Sequence, residues 1–176
     1  MAKRLLKYFL PEVYKRSIYD IQVDFLKEKG ICGVMTDLDN TLVAWNEARM
    51  TPNLRKWFGA LGEAGIQTVI LSNNNERRIR TFIGDASIPY VFRAKKPLLT
   101  GYQKALQIMN LTPNKTVVIG DQLMTDIWGA NRIGAHSVLV APVAASDGWA
   151  TQINRLIERL ILGQLRRRGW LDREER

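Results

Sequence analysis

Residues 31–41 read ICGVMTDLDNT, an apolar run that passes directly into a group of acidic and polar residues. The run is continuously apolar rather than alternating, which is typical of a strand covered on both faces in a parallel sheet. Asp37 and Asp39 follow at the point where such a strand ends. The stretch therefore predicts a buried parallel strand that brings two carboxylates to the carboxyl edge of a sheet.

Four further β-rich runs follow the first strand, which we place at 31–37. They cover residues 66–72, 88–92, 115–121 and 136–142. Helix-length segments separate them, beginning at Thr51, Asn75, Leu98 and about Thr125, and the last ends at Ile133. This alternation predicts an α/β protein with a three-layer, doubly wound, Rossmann-like parallel sheet. Binding is expected at the carboxyl ends of the strands.

Polar side chains follow each of the first four predicted strands. They are Asp37 and Asp39, then Ser72, then Lys96, and finally Asp121 and Asp126. Taken singly, these positions are also compatible with acidic turns, helix caps and solvated turns. Together they supply carboxylates, a hydroxyl and an ammonium, which suit phosphoryl transfer by positioning and charge neutralisation. Because Mg²⁺ takes few protein carboxylates, Asp37 and Asp121 suffice to hold it, while Lys96 and Ser72 hold phosphoryl oxygens.

In order and spacing, these motifs resemble those of the haloacid dehalogenase (HAD) superfamily of aspartate-nucleophile phosphatases. The matching segments are Asp37-Leu-Asp-Asn-Thr, Ser72, Lys96-Pro97 and Gly120-Asp121 with Asp126. The resemblance covers roughly residues 31–142 and implies a HAD-like fold. It implies that Asp37 attacks phosphorus, and that Asp39 protonates the leaving oxygen and later activates water.

The same resemblance implies further roles. Ser72 and Lys96 would bind the phosphoryl group, and Thr41 and Asn73 are predicted substrate contacts. The implied cofactor is Mg²⁺, held by Asp37, by Asp121 and by Asp39 through its backbone carbonyl. Asp126 would support this metal site, either directly or through water and Lys96.

The spacing of the motifs leaves no room for a cap domain, since one loop and one helix fill residues 41–72 and one helix and one strand fill 72–96. We therefore expect an open site, suited to a bulky or membrane-bound phosphomonoester. Over nearly its full length the chain also resembles the YqeG-like subfamily IIIA phosphatases, through TDLDNTLV, LSNNNERR and GANR among other segments. That subfamily is similar to phosphatases that convert phosphatidylglycerophosphate to phosphatidylglycerol, which implies a lipid-headgroup substrate.

Arginines near the strand ends are candidates for a second phosphate of such a headgroup. They are Arg77, Arg78, Arg80 and Arg132, and each is equally compatible with a solvated helix face. Trp45, in the loop after the first strand, is a candidate for lining the site or for simple surface exposure.

Charge is concentrated at the two ends of the chain. The 26 basic and 17 acidic residues give a net charge of +9, of which residues 1–16 and 155–168 carry +4 each. We divide the chain into a basic segment at 1–30, a phosphatase core at 31–145, and an amphipathic helix with a basic tail at 146–176. The basic ends are expected to contact an anionic membrane surface, with nucleic acid as the less favoured partner.

Length and composition narrow the remaining possibilities. A chain of 176 residues with a single cysteine, Cys32, indicates one domain without a disulfide framework or a multi-cysteine zinc site. We predict a cytoplasmic protein, with a peripheral position on the inner face of the plasma membrane as an option. Two alternative functions remain open: a soluble nucleotide or sugar phosphate phosphatase, and a basic RNA- or ribosome-binding protein with a vestigial site. The sequence leaves the oligomeric state undecided.

Overall fold

A computed structural model describes residues 6–144, 160–165 and 167–170. Its centre is a six-stranded, wholly parallel sheet with the strand order β1-β6-β5-β2-β3-β4. The strands are β1 (Val13–Lys15), β2 (Gly33–Thr36), β3 (Gln67–Leu71), β4 (Tyr90–Val91), β5 (Thr116–Gly120) and β6 (His136–Val140). The predicted parallel α/β fold is therefore confirmed, and its five predicted strands correspond to β2 to β6.

Helices cover both faces of this sheet. They are α1 (Val23–Glu28), α2 (Pro52–Glu63), α3 (Glu76–Ile83), α4 (Leu99–Met109) and α5 (Trp128–Ile133), and a π-helical turn (Leu123–Ile127) leads into α5. Short 3₁₀ turns lie at Lys7–Phe9, Ile18–Asp20 and Pro113–Lys115. The described residues include no separate cap domain, as the spacing of the motifs predicts.

Successive strand residues point into two different cores. Val34 and Ile70 join the apolar cluster beneath α2 and α3, whereas Met35 and Val69 join the cluster beneath α4 and α5. All four residues of β2 are buried, and so are all five of β5. Burial on both faces explains why these strands are continuously apolar in the sequence.

Strand β1 is an element that the sequence analysis missed. Its three half-buried residues pair with the edge of β6, with Val13 opposite Val138. A short, half-exposed edge strand carries no continuous apolar run, so its pattern does not stand out. Residues 13–15 thus belong to the central sheet, although the sequence analysis placed them in a separate basic segment.

The predicted C-terminal amphipathic helix is described only in part. Residues 160–165 are helical, and Leu165 is fully buried. Ile161 and Leu162 pack against the apolar cluster of Leu123, Ile127 and Leu139. The remainder of the predicted helix before residue 160 lies outside the described residues, as do the basic residues Lys3 and Arg4. Within the described ranges, no helix has the length and hydropathy needed to cross a bilayer.

Candidate active site

Loops that follow β2 to β5 converge on a cleft of about 440 Å³ at the carboxyl edge of the sheet. Five residues singled out from the sequence as site residues line this cleft: Asp37, Asp39, Ser72, Asn73 and Lys96. Trp45 lines it as well, together with Asn40, Asn74, Gln122 and Thr125. The structure thus brings together side chains that are far apart along the chain, as expected for a doubly wound sheet.

Lys96 is the only cation in the buried part of the described site. Its Nζ lies 2.8 Å from Asp37 Oδ1 and 2.7 Å from Asp126 Oδ1, and its side chain is 2% exposed. Burial on its own would lower the pKa of Lys96, but the charges of Asp126 and Asp37 outweigh burial and raise it above the usual value. Lys96 therefore remains an ammonium ion between two carboxylates.

Three carboxylates surround this region. Asp37, Asp121 and Asp126 are all buried, and each offers an oxygen within 4.8 Å of the others. Burial raises the pKa of Asp37 to about 6, a shift that the charge of Asp126 reinforces and that of Lys96 opposes. Burial, with the charges of Asp37 and Asp126, raises the pKa of Asp121 to about 8. One ammonium leaves these carboxylates with an excess of negative charge.

A divalent cation with oxygen ligands fits this cluster. Mg²⁺ prefers carboxylate oxygens and water and needs only a few protein ligands. A bound cation would offset the repulsion that adds to the effect of burial on both pKa values. Asp39 is not a carboxylate member of the cluster. Its predicted metal contact is through the backbone carbonyl and stays a prediction.

Local geometry places Asp126 against the end of β5. A Cβ added to Gly120 would overlap the Asp126 carboxyl group, so this position requires the absence of a side chain. The π-helical turn brings Asp126 back towards the strand, where its Oδ2 accepts a hydrogen bond from the backbone N–H of Gln122 at 3.2 Å. The sequence predicts an α-helix from about Thr125, but the α-helix begins at Trp128 and the turn before it is π-helical.

Two predicted substrate contacts, Thr41 and Asn73, form hydrogen bonds within the protein, and their contacts with substrate stay predictions. The Thr41 hydroxyl is buried and donates to Asp121 Oδ1 at 3.0 Å, outside the cleft lining. Asn73 accepts a hydrogen bond from the Lys96 backbone N–H at 2.7 Å and donates to the Lys96 carbonyl at 3.2 Å. Thr41 therefore orients a carboxylate of the acidic cluster, and Asn73 fixes the loop that carries Lys96. These two hydrogen bonds use both the oxygen and the NH₂ group of the Asn73 side chain.

Arg77 and Arg132, two of the four arginines predicted to contact a second phosphate of the substrate, also lie outside the cleft lining. Arg77 is exposed on the first turn of α3. Arg132 donates to the carbonyl of Pro97 at 3.2 Å and stacks over the ring of Trp128. Neither guanidinium lines the described cleft, so the roles of Arg77 and Arg132 in substrate binding stay predictions.

Arg78, by contrast, contacts a cleft carboxylate directly. Its Nε donates to Asp39 Oδ1 at 2.9 Å, and its Nη2 lies 2.8 Å from the same oxygen. Asn74 donates to the other oxygen of Asp39 at 3.2 Å. From the sequence, Arg78 is only one of several candidates for a second phosphate, and Asn74 has no predicted role. These two side chains hold the Asp39 carboxylate on the wall of the cleft.

Helical phase is the sequence signal that separates Arg78 from its neighbours. Ile79, Phe82 and Ile83 form the buried stripe of α3, and Arg78 lies one turn before Phe82 on the edge of that stripe. Arg80 lies away from it and pairs with Glu76 on the surface. The predicted N-cap at Asn75 is also present, because its side chain accepts from the Arg78 N–H at 2.9 Å.

The chain is similar to known hydrolases. The model of the haloacid dehalogenase-like hydrolase family matches residues 5–134. A Bacillus subtilis protein named "probable phosphatase YqeG" is 46% identical over 97% of this chain and 99% of its own length. Phosphatidylglycerophosphate phosphatase 1 of Arabidopsis thaliana is 28% identical over 94% of this chain, which spans 49% of that protein.

Similarity to solved structures extends to the fold. The 3-deoxy-D-manno-octulosonate 8-phosphate phosphatase of Yersinia pestis superposes with a TM-score of 0.50 over 82% of this chain and 88% of its own. Sequence identity in that superposition is 14%, so the likeness supports the architecture only.

Proposed function

Because the chain belongs to the haloacid dehalogenase-like hydrolases, we propose that its cleft hydrolyses phosphomonoesters through an aspartyl-phosphate on Asp37. The observation that carries this proposal is the buried Lys96 held between Asp37 and Asp126, with Asp121 in the same cluster. An isolated structural ion pair has no need of the second and third carboxylates. Their excess charge suits a site that binds a metal ion and a phosphate ester together.

Asp37 is the nucleophile in this proposal. Its carboxylate oxygen forms a bond to phosphorus while the bond from phosphorus to the ester oxygen breaks. Lys96 and Ser72 hold phosphoryl oxygens during this step, since both line the cleft beside Asp37. When Mg²⁺ is bound by Asp37, Asp121, Asp126 and the Asp39 carbonyl, it supplies charge neutralisation for the transferring group.

Asp39 acts as the general acid and then as the general base. In the first step its carboxyl group donates a proton to the departing ester oxygen. In the second step its carboxylate accepts a proton from the water that attacks the aspartyl-phosphate, which releases inorganic phosphate and restores Asp37. Arg78 and Asn74 fix the direction in which this carboxyl group points.

We infer phosphatidylglycerophosphate as the substrate. The similarity to phosphatidylglycerophosphate phosphatase 1 supports this assignment. The open cleft supports it as well, because the described residues provide no cap that would exclude a large substrate. The concentration of positive charge at residues 1–16 and 155–168 suits a peripheral position on an anionic membrane.

Phosphate release from phosphatidylglycerophosphate in mixed micelles tests this function, alongside a panel of soluble sugar phosphates and nucleotides. We expect Mg²⁺-dependent release with preference for the lipid, and none from Asp37→Asn. Phosphate release from soluble esters alone would reject the lipid substrate but support the proposed phosphatase activity. Release from no ester by the wild-type protein with Mg²⁺ would reject the phosphatase itself and favour the nucleic-acid-binding alternative.

A further inference from the structure

Exposed apolar side chains are concentrated at the carboxyl edge of the sheet, where the cleft opens. Eight large apolar residues are exposed among those that the structure describes. Five of the eight lie on loops that follow the carboxyl ends of strands; we call these five the apolar rim: Tyr19, Trp45, Phe92, Leu98 and Val143. Leu98 and Val143 are 54% and 56% exposed. Single exposed apolar residues are ordinary, but several at one edge of the sheet indicate an interaction surface.

The apolar rim is continuous with the site. Tyr19 and Val143 line one cavity of about 540 Å³, and the Val143 N–H donates to the Asn40 carbonyl at 2.8 Å. Asn40 in turn lines the catalytic cleft beside Trp45. On the far side of the cleft, the Leu98 N–H donates to the carbonyl of Lys95, next to Lys96. Residues of the apolar rim therefore lie on both sides of the cleft along the carboxyl edge.

The same loops carry a surplus of positive charge. Exposed basic residues on them are Arg16, Arg49, Arg93 and Lys95, against the exposed acidic residues Asp20 and Glu47. Apolar side chains interspersed with basic ones suit the headgroup region of an anionic bilayer, where the former insert and the latter pair with phosphates.

We propose that the apolar rim docks the cleft onto the surface of an anionic lipid bilayer. The inference rests on the proposed lipid substrate and adds the orientation: the carboxyl edge of the sheet faces the membrane, so that a lipid phosphate enters the cleft from the headgroup layer. Attachment through the charged ends of the chain alone would leave this edge free to face any direction.

Vesicle co-sedimentation of the full chain in a chelator tests the docking without turnover. The vesicles contain phosphatidylcholine alone or an equimolar mixture with phosphatidylglycerol. The test variant combines Leu98→Ser with Val143→Ser. The matched control is Ile108→Ser, which removes another exposed apolar side chain at the far end of α4, near the amino edge of the sheet.

We expect wild-type protein and Ile108→Ser to bind the mixed vesicles, and the double variant to bind them about tenfold more weakly, because two apolar side chains no longer leave water. Equal binding by the double variant and wild type would overturn the proposal and assign attachment to the basic ends. Absence of wild-type binding to the mixed vesicles would overturn it as well.

Hydrolysis of p-nitrophenyl phosphate and the melting temperature show whether the double variant is folded. The hydrogen bonds that Leu98 and Val143 form next to the cleft use their backbone N–H groups, which serine also has. Activity and melting temperature are therefore expected to match those of the wild type. Rim-dependent binding without release of phosphate from lipid would uphold the docking and reject the substrate. Lipid hydrolysis that is unchanged in the double variant on vesicles would uphold the substrate and reject the docking.

Discussion

Two clusters of lysine and carboxylate lie at opposite edges of the sheet and behave differently. At the carboxyl edge, buried Lys96 is shared by Asp37 and Asp126. At the amino edge, Glu12 lies between Lys29 and His136, with both contacts at 2.6 Å and all three side chains about one-third exposed. In the first cluster carboxylates outnumber the cation, and in the second one carboxylate has two basic neighbours.

The pKa shifts follow from that difference. Burial raises the pKa of Asp37 and Asp121, and repulsion among the carboxylates adds to it. Burial acts on Glu12 in the same direction, but its hydrogen bonds and charge interactions with Lys29 and His136 outweigh it and lower its pKa. The same residue types thus give a stable surface cluster at one edge and an electrostatically unbalanced site at the other. An unbalanced buried cluster is the expected mark of function.

The largest expected effect is on catalysis. Asp37→Asn removes the nucleophile and should lower phosphate release by about 10⁴-fold or more, as removal of covalent nucleophiles does elsewhere. The matched control is Asp85→Asn, which loses an exposed partner of Arg55 and should retain full activity. Full activity in Asp37→Asn would contradict the proposed chemistry.

The next effect compares the two lysines. Lys96→Met leaves buried carboxylates without their cation and should lower the free energy of unfolding by about 3 kcal/mol or more. Lys29→Met breaks a half-exposed pair and should cost about 1 kcal/mol or less. Urea unfolding in a chelator measures both. Equal losses would show that burial does not separate the two clusters.

The pH dependence of stability provides a third test. The folded pKa values of Asp37 and Asp121, about 6 and about 8, lie above the ordinary 3.8. Each group therefore contributes stability that is complete in acid and is lost as the pH rises through its folded pKa. Between pH 5 and pH 9 the metal-free protein should lose on the order of 5 kcal/mol, about 1 from Asp37 and about 4 from Asp121. Mg²⁺ should restore most of this loss at the alkaline end. Thermal melts with chelator or Mg²⁺ measure it, and a chelated protein that becomes more stable with rising pH would contradict the assignment.

A smaller effect concerns the cleft wall. Arg78→Ala frees the Asp39 carboxyl group and should lower kcat/KM for an alkyl phosphate by about tenfold or more, because general acid catalysis depends on position. The loss should be smaller for p-nitrophenyl phosphate, whose leaving group departs without a proton. Arg77→Ala, one residue away and outside the cleft lining, is the control. Equal losses on both substrates would indicate a structural role for Arg78 instead of a positioning role.

Much of this fold could be predicted because its strands are short, apolar and buried on both faces. The run at 31–36 shows this burial directly in its composition. Strand β1 could not be predicted in the same way, since Val-Tyr-Lys at an edge is half-buried and depends on β6 for its definition. The local sequence is enough to identify the central strands. The edge strand β1 is instead defined by a partner strand that is distant along the chain.

The residues of the site likewise differ in how far the sequence alone predicts them. The convergence of Asp37, Ser72, Lys96 and Asp121 could be predicted because each directly follows a strand or strand region, and parallel strands end at one edge of the sheet. Their partners could not be located from spacing alone. The bond from Thr41 to Asp121 joins residues 80 positions apart, and that from Arg78 to Asp39 joins residues 39 apart. Such contacts arise from how loops meet in space.

The open cleft has a consequence for how selectivity arises. A capped enzyme rejects wrong esters by enclosing the right one, whereas a described cleft without a cap leaves most of a large substrate outside it. Under the proposed docking, two-dimensional confinement raises the local concentration of lipid phosphates over soluble competitors, much as a tether does for a linked binding site. Such an enzyme would select its substrate through its location on the membrane more than through shape complementarity. Releasing it from the membrane surface would change which phosphate esters it hydrolyses.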